Sequence, residues 1–379
     1  MTRFIRVVAR KLIIIATIGS VAVFLLACCA PFLHPARFWF IAVLGVGMPL
    51  LVLALLFFVI FWGFLKSRWS FLPLAALLLG WGQITPFFAF HAFSGFDKKK
   101  QAGSFRVMQW NVSRMDAMNR KRPGGTYRRH IFDFIREMNP DVVCLEEFLE
   151  SNDPKQLPEN IPFMVDSLHY PYYYFSRDHA RWDKMYEHGV VIFSRYPLLD
   201  TLRLRYYGED KLNPGESLVH VDVNINGLRT RIFATHLQSL HFGGDDYGVL
   251  KRIAKAEDSA VTKSMGVVKK FRRAYMFRSK QAELVRRELD TSPYPVILCG
   301  DFNDIPNSFT YFKIKGDRTD AFLRRGFGVG RSFASLSPTL RIDYILASRA
   351  LEVAQFKKTV LPWSDHYPLV ADFTLPVKE

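Results

Sequence analysis

Acidic side chains are nearly missing from the first quarter of this chain: of 35 Asp and Glu in 379 residues, one, Asp97, lies within the first hundred. Residues 12–32, 38–65 and 71–93 hold no Asp, Glu, Lys or Arg at all. A core-covering surface helix is excluded for these runs, because such a helix keeps a polar face. Each run instead meets the roughly 20 residues needed to cross about 30 Å of hydrocarbon. Cysteine is scarce too, with four in the chain. Cys28 and Cys29 lie in the first apolar run and Cys144 and Cys299 in strand-like runs, which excludes a disulfide framework and a zinc site. Leu25, Leu26, Ala27 and Cys28 look like a lipoprotein cleavage box. A leucine, however, stands just before Ala27 where a small residue is usual, and two more apolar runs follow, so both cysteines read as ordinary helix residues. Beyond residue 103 there is neither an internal repeat nor a low-complexity tract.

What the apolar runs do have is basic flanks. Ten of the 51 Lys and Arg fall in the first hundred residues, so much of the net charge of +16 is a flanking pattern and a poor argument for nucleic-acid binding. The expectation is a multi-pass membrane anchor over residues 1–93, with three transmembrane helices at 12–32, 38–65 and 71–93 and the lipid bilayer as partner. Gln83, Thr85, Pro86 and His91 in the third run read as interface or helix-packing positions rather than a transport path. Three spans put Arg3, Arg6, Arg10, Lys11, Lys66 and Arg68 on one side of the membrane and Arg37, Lys98, Lys99, Lys100 and Arg106 on the other. The first helix carries four basic residues before it and one after. The positive-inside rule then places the amino terminus in the cytoplasm and everything beyond the third span outside it, in the periplasm of a Gram-negative cell.

Residues 94–103 read as a polar linker, and residues 104–379 as one domain large enough for a substantial core. Short apolar runs at 105–110, 142–145, 172–175, 190–193, 218–225, 228–235, 296–299, 342–346 and 369–373 are bounded by Gly, Pro, Asn and Asp, the pattern of strands. Asn226-Gly227 between two of them predicts a hairpin. Helical spacing puts Ile131, Phe134, Ile135 and Met138 on one face, and Ala282, Val285 and Leu289 on another. The mixture is that of an α/β sandwich.

The strand ends are unusual in kind. The run Val296-Ile297-Leu298-Cys299-Gly300 gives way at once to Asp301, Asn303 and Asp304, where a turn built by Asp and Asn is the simplest explanation. Run 105–110 ends at Asn111, run 142–145 at Glu146 and Glu147, and run 228–235 at His236. Asp343 sits inside an apolar run, and Ser364-Asp365-His366 precedes the last strand. Six polar ends drawn from Asn, Asp, Glu and His form a pattern that turns alone do not explain.

In their order these motifs (Gln109-Trp110-Asn111, Leu145-Glu146-Glu147, residues 189–195, Thr235-His236-Leu237, Gly300-Asp301-Phe302-Asn303, Arg341-Ile342-Asp343 and Ser364-Asp365-His366) resemble the endonuclease/exonuclease/phosphatase superfamily. That group includes DNase I, exonuclease III-like repair nucleases, inositol polyphosphate 5-phosphatases and neutral sphingomyelinases. The resemblance covers about residues 105–373 and implies a DNase I-like four-layer α/β sandwich and a hydrolase acting on phosphate esters. Hard oxygen ligands without thiolates suit Mg²⁺ or Mn²⁺. By the same resemblance Asn111, Glu147 and Asp365 hold the metal, His366 is the general base, Asp301 orients water, Asn303 donates to a phosphoryl oxygen, and His236 stabilises the phosphate or protonates the leaving oxygen. Asp343 and Asp365 divide the duties of orienting His366 and serving the metal, in an order the sequence leaves open. The acid partner of His236 is also open, with Asp178 and Glu187 as candidates. Glu146 is expected to be a partly exposed neighbour on the opposite strand face.

Phe148 and Leu149 follow Glu147 where repair nucleases often place a lysine, which lowers the abasic-site nuclease reading. A phosphodiester in a lipid headgroup or in nucleic acid leads as substrate, and a non-catalytic membrane-bound module with the same fold is the alternative. Three further features carry less. Residues 326–330 read as a flexible turn, His236 and His241 lack a third ligand at metal spacing, and the basic stretch 269–273 is either a solvated helix face or a surface for anionic lipid or nucleic acid.

Overall fold

The computed structural model describes residues 2–117, 126–181, 184–206, 217–240, 260–335 and 337–375. His241 and the basic residues Lys251 and Arg252 lie outside them. The chain forms two compact units, one of residues 1–88, 240–279 and 305–313, the other of residues 89–239, 280–304 and 314–379.

The first unit contains helices α1 (Thr2–Cys28), α2 (Pro35–Val46), α3 (Met48–Phe64), α4 (Phe71–Leu79) and α5 (Trp81–Ile84). Pro35 opens α2, a place where its missing N–H costs nothing. Among the described residues one helix, α1, is long and apolar enough to cross a membrane; α2 with α3, bent by 55°, and residues 68–87, bent by 60°, qualify if each bent pair is one span. The second bend falls at Gly80, where a Cβ would come within 2.5 Å of the Phe24 ring and 2.8 Å of the Cys28 sulfur. Helical structure in the third apolar run ends at Phe87 rather than at residue 93, since Pro86 limits its extension and Ala89–Phe90 is strand β1 of the other unit. Polar side chains inside the bundle are paired. Trp62 Nε1 donates to Thr17 Oγ1 at 3.0 Å, and Asn307 Nδ2 to the Ala27 carbonyl at 2.9 Å.

The second unit is a sandwich of two mixed sheets. In chain order it adds β2 (Ser104–Asn111), α6 (Thr126–Met138), β3 (Val142–Ser151), β4 (Tyr172–Phe175), β5 (His179–Arg181), β6 (Tyr186–Ser194), β7 (Leu198–Arg205), β8 (Ser217–Ile225) and β9 (Leu228–His236). Helix α7 (Ala260–Asp290) begins in the first unit and ends in this one. After it come β10 (Val296–Asp301), α8 (Phe309–Lys315), which likewise begins in the first unit, β11 (Thr319–Asp320), α9 (Ala321–Arg325), β12 (Phe327–Gly328), β13 (Asp343–Ala347), β14 (Glu352–Lys358) and β15 (Leu369–Thr374). One sheet runs β11-β13-β10-β9-β8-β7 and the other β14-β15-β2-β3-β6-β4, with β5 also on β6. The pairs β9–β10 and β2–β3 are parallel. Parallel neighbours put like ends of their strands side by side, which is how four polar strand ends come to share one rim.

Alternation explains the layers. Val107, Val142 and Cys144 join Val219, Val221, Ile232, Ile297, Cys299 and Ile345 of the other sheet in a core between the sheets. Their neighbours Met108, Val143 and Leu145 face outward into a second core with Ile131, Phe134, Ile135 and Met138 of α6. Ala282, Val285 and Leu289 of α7 are buried as expected. The Asn226-Gly227 turn joins β8 to β9 with φ of 49° and 88°, the left-handed pair a two-residue hairpin requires. Arg106, buried on β2, fixes the linker to the sandwich. Its guanidinium reaches Asp372 at 2.6 and 2.9 Å and the carbonyls of Asp97, Lys98 and Met138 at 2.7–2.9 Å.

Candidate active site

Register assembles the site before any side chain is considered. Asp301 at the end of β10 lies beside His236 on β9 and across from Asp343 on β13. On the facing sheet Asn111 ends β2 beside Glu146 of β3. Gly300 permits the first of these arrangements, because a Cβ there would stand 2.3 Å from the Thr235 carbonyl oxygen. The loop before β15 brings His366, braced by Trp110 Nε1 on its carbonyl at 2.9 Å and by Ser364, whose hydroxyl donates to the Asn111 carbonyl at 2.7 Å.

The side chains then converge. His366 Nδ1 lies 2.9 Å from Asp343 Oδ2, and its Nε2 lies 3.6 Å from Asp301 Oδ2. The same Asp301 oxygen is 3.5 Å from His236 Nε2 and accepts from Asn111 Nδ2 at 3.1 Å. Its other oxygen accepts the Asn303 N–H at 2.8 Å, so the turn expected at this strand end does form, with Asn303 at φ 51°. Asn303 Nδ2 donates to the Leu237 carbonyl at 3.0 Å. Asp343 is thus the carboxylate bonded to His366, while Asp365 is exposed and near Ser364. Neither candidate partner of His236 is placed with it. Asp178 binds Ser176, Ser217 and Arg203, and Glu187 pairs with Arg177.

Glu146 departs from expectation. It is fully buried, and Gln109 Nε2 bridges its carboxyl at 2.8 Å to Asp343 Oδ1 at 3.0 Å. A bulge between Leu145 and Phe148, with Glu147 at φ 49°, breaks the simple alternation. Glu147 is left partly exposed, 3.4 Å from Arg114 Nε. Strand β3 also continues through the acids to Ser151 instead of stopping at them.

Three buried carboxyls within one pocket of charge affect one another. Burial pushes Asp301 up to about 6, with the His366 charge pulling it down and Asp343 pushing it further up. Glu146 is raised well above the usual range by burial and then by Asp343. Burial would lower His366, but the Asp343 and Asp301 carboxylates outweigh it and raise the imidazole to about 10.

Gln109, Ser332 and Arg114 went unassigned in the sequence. Ser332 Oγ accepts the N–H groups of Ile342 and Asp343 at 2.9 and 3.0 Å, fixing the backbone under the dyad. Gln109 lies two residues before Asn111, hence on the same strand face, a signal that was available. Ser332 sits on a remote loop and gives none.

A two-sheet sandwich that gathers carboxylates, amides and imidazoles at its rim is the arrangement of hydrolases that cleave phosphodiester bonds. The endonuclease/exonuclease/phosphatase family matches residues 108–366, and the chain belongs to that family. A domain of unknown function, DUF8431, matches residues 10–87. No curated protein matches the chain. Among solved structures, an endonuclease/exonuclease/phosphatase from Beutenbergia cavernae is similar with TM-score 0.52 and 21% identity, covering 72% of each chain. The human Nocturnin catalytic domain is similar at 0.51 and 19%, over 73% of this chain and 96% of that one. A family protein from Bacteroides vulgatus is similar at 0.50 and 18%, over 72% and 99%. At these identities the likeness is one of fold.

Proposed function

We propose that this chain is a membrane-anchored, divalent-cation-dependent phosphodiesterase, with residues 1–93 as anchor and residues 104–379 as catalytic domain, acting on a lipid headgroup or nucleic acid. The observation that carries the reading is the row Asp343–His366–Asp301–His236, in which one imidazole is bonded to a carboxylate at 2.9 Å and both imidazoles flank a second carboxylate at 3.6 and 3.5 Å.

The residues fit a cation. Asp301, Asp343 and Glu146 are buried together, and among the described residues no Lys or Arg pairs with them. Burial, with the Asp343 carboxylate adding to it, raises the Asp301 and Glu146 carboxyls, and a dication beside them would favour their charged forms. The donors are oxygens, which favours Mg²⁺ or Mn²⁺. Asn111, Glu147 and Asp365 would hold the ion. Asp301, Asp343 and His366 also bring ligand atoms within 4.8 Å of one another, but the bond between His366 and Asp343 favours a proton-transfer role for that group. When bound, the cation supplies Lewis-acid stabilisation of a phosphoryl oxygen.

His366, its neutral form favoured once a bound cation offsets the carboxylate charge that raises it, takes the proton of the attacking water at Nε2, and Asp343 holds the imidazole in the tautomer that leaves Nε2 free to accept. Asp301 orients that water. Asn303 has one amide hydrogen beyond its bond to Leu237 to offer a phosphoryl oxygen. His236 stabilises the phosphate or protonates the leaving oxygen.

The test is hydrolysis by the purified full-length chain of a dinucleotide diester, plasmid DNA, a sphingomyelin-type lipid and inositol phosphates. Activity on a diester is expected with Mg²⁺ or Mn²⁺ and none with EDTA. His366→Ala and Glu147→Gln are each expected to lower kcat by about 10² or more. Near-normal turnover in both variants would refute the mechanism.

A further inference from the structure

Helix α7 has a second face. Residues 260–279 of this helix belong to the same compact unit as the apolar helices α1 to α5. Val267, Ala274, Tyr275 and Arg278 are buried along one side. Met265, Val268, Lys269, Arg272 and Arg273 are exposed along the other, with Met265 at 67% and Val268 at 40% of full exposure. At 100° per residue these five positions span an arc of about 140°. Three cations with two apolar side chains on one helical strip, and no acid among them, match a bilayer surface that is negative in its headgroups and apolar just beneath.

We propose that this face of α7 lies on the membrane surface and docks on anionic phospholipid, with Lys269, Arg272 and Arg273 meeting headgroup phosphates and Met265 and Val268 entering the acyl boundary. The proposal rests on the reading of the apolar helices as bilayer-embedded. Two features favour lipid over nucleic acid. The strip shares a unit with helices of membrane-spanning character, and the exposed methionine and valine beside the cations offer nothing to a phosphate backbone. Long basic side chains also suit this site, because their stems cover apolar surface while the charged heads stay in water.

The test uses the full-length chain, with Cys28 and Cys29 replaced by serine, reconstituted in bilayers of phosphatidylcholine alone or mixed with phosphatidylglycerol. A polarity-sensitive fluorophore is placed at Met265→Cys, or at Ile15→Cys on α1, a position 65% exposed in the bundle. Quenching by brominated lipid reads immersion. The Met265 label should be quenched about twofold more in the anionic bilayer, and that excess should fall as salt rises, as expected for a screened surface attraction. Lys269→Gln/Arg272→Gln/Arg273→Gln should abolish the excess without altering the Ile15 signal. Equal quenching in both bilayers, or an excess that survives the triple substitution, overturns the proposal while a quenched Ile15 label leaves the anchor reading intact. An unquenched Ile15 label overturns both. A Met265 label that responds to added duplex DNA and not to anionic lipid makes the strip a nucleic-acid surface and likewise overturns the proposal.

Discussion

His366 carries its charge at the expense of burial. Its imidazole is held near 10 by Asp343 and Asp301, against an ordinary value of 6.5. A raised folded-state pKa stabilises the protein fully below the unfolded value and progressively less as pH rises towards the folded one. In EDTA, the gap in melting temperature between the native chain and His366→Gln should therefore narrow steadily between pH 7 and 10. A gap that widens over this range would mean the imidazole is not held by those carboxylates. The sequence revealed His366 and the acids around it but not their pairing. Asp343 lies 23 positions before His366 and Asp365 immediately before it, and neither spacing says which carboxylate reaches the ring; the β10–β13 register sets Asp343 opposite Asp301, where His366 meets both. Glu146 was misplaced for a local reason, since the rule of alternating faces fails across a bulge.

Among the elements, β10 is the most constrained. Its Gly300 has the Thr235 carbonyl where a side chain would go. Gly300→Ala should destabilise the fold by about 1–3 kcal/mol, the usual cost of overpacking, and should lower activity by displacing the adjacent Asp301. Thermal unfolding in detergent would measure the first and diester hydrolysis the second. Arg106→Ala should cost about 3–5 kcal/mol, because it leaves the buried Asp372 carboxylate without its charged partner. Strands with clear alternation or strong apolar runs were legible, including the hairpin at Asn226-Gly227. Two were not. Strand β7 lies mostly exposed at a sheet edge and has few residues to bury, and β14 has its alternation broken by an irregularity between Val353 and Gln355. Apolar content likewise overran the third helix, which composition extended to residue 93 and Pro86 stopped near Phe87.

For the whole molecule, orientation is the quantity to test. With three passes, the weight of Arg3, Arg6, Arg10 and Lys11 before α1 against Arg37 after α2 begins argues for a cytoplasmic amino terminus and a catalytic domain on the opposite side. An alkaline phosphatase fused after Glu379 should then be active and a green fluorescent protein dark. The reverse pattern would move the domain to the cytoplasm.

Asp301 divides its two oxygens, one closing the turn onto the Asn303 N–H and the other facing Asn111, His236 and His366. In the proposed mechanism construction and chemistry therefore share a single side chain, and a substitution that revises one disturbs the other. Asp365, exposed and bonded to little, has no such double duty. A lineage seeking a new substrate would have to vary elsewhere on the rim, with Asp301 as the fixed point around which that variation is arranged.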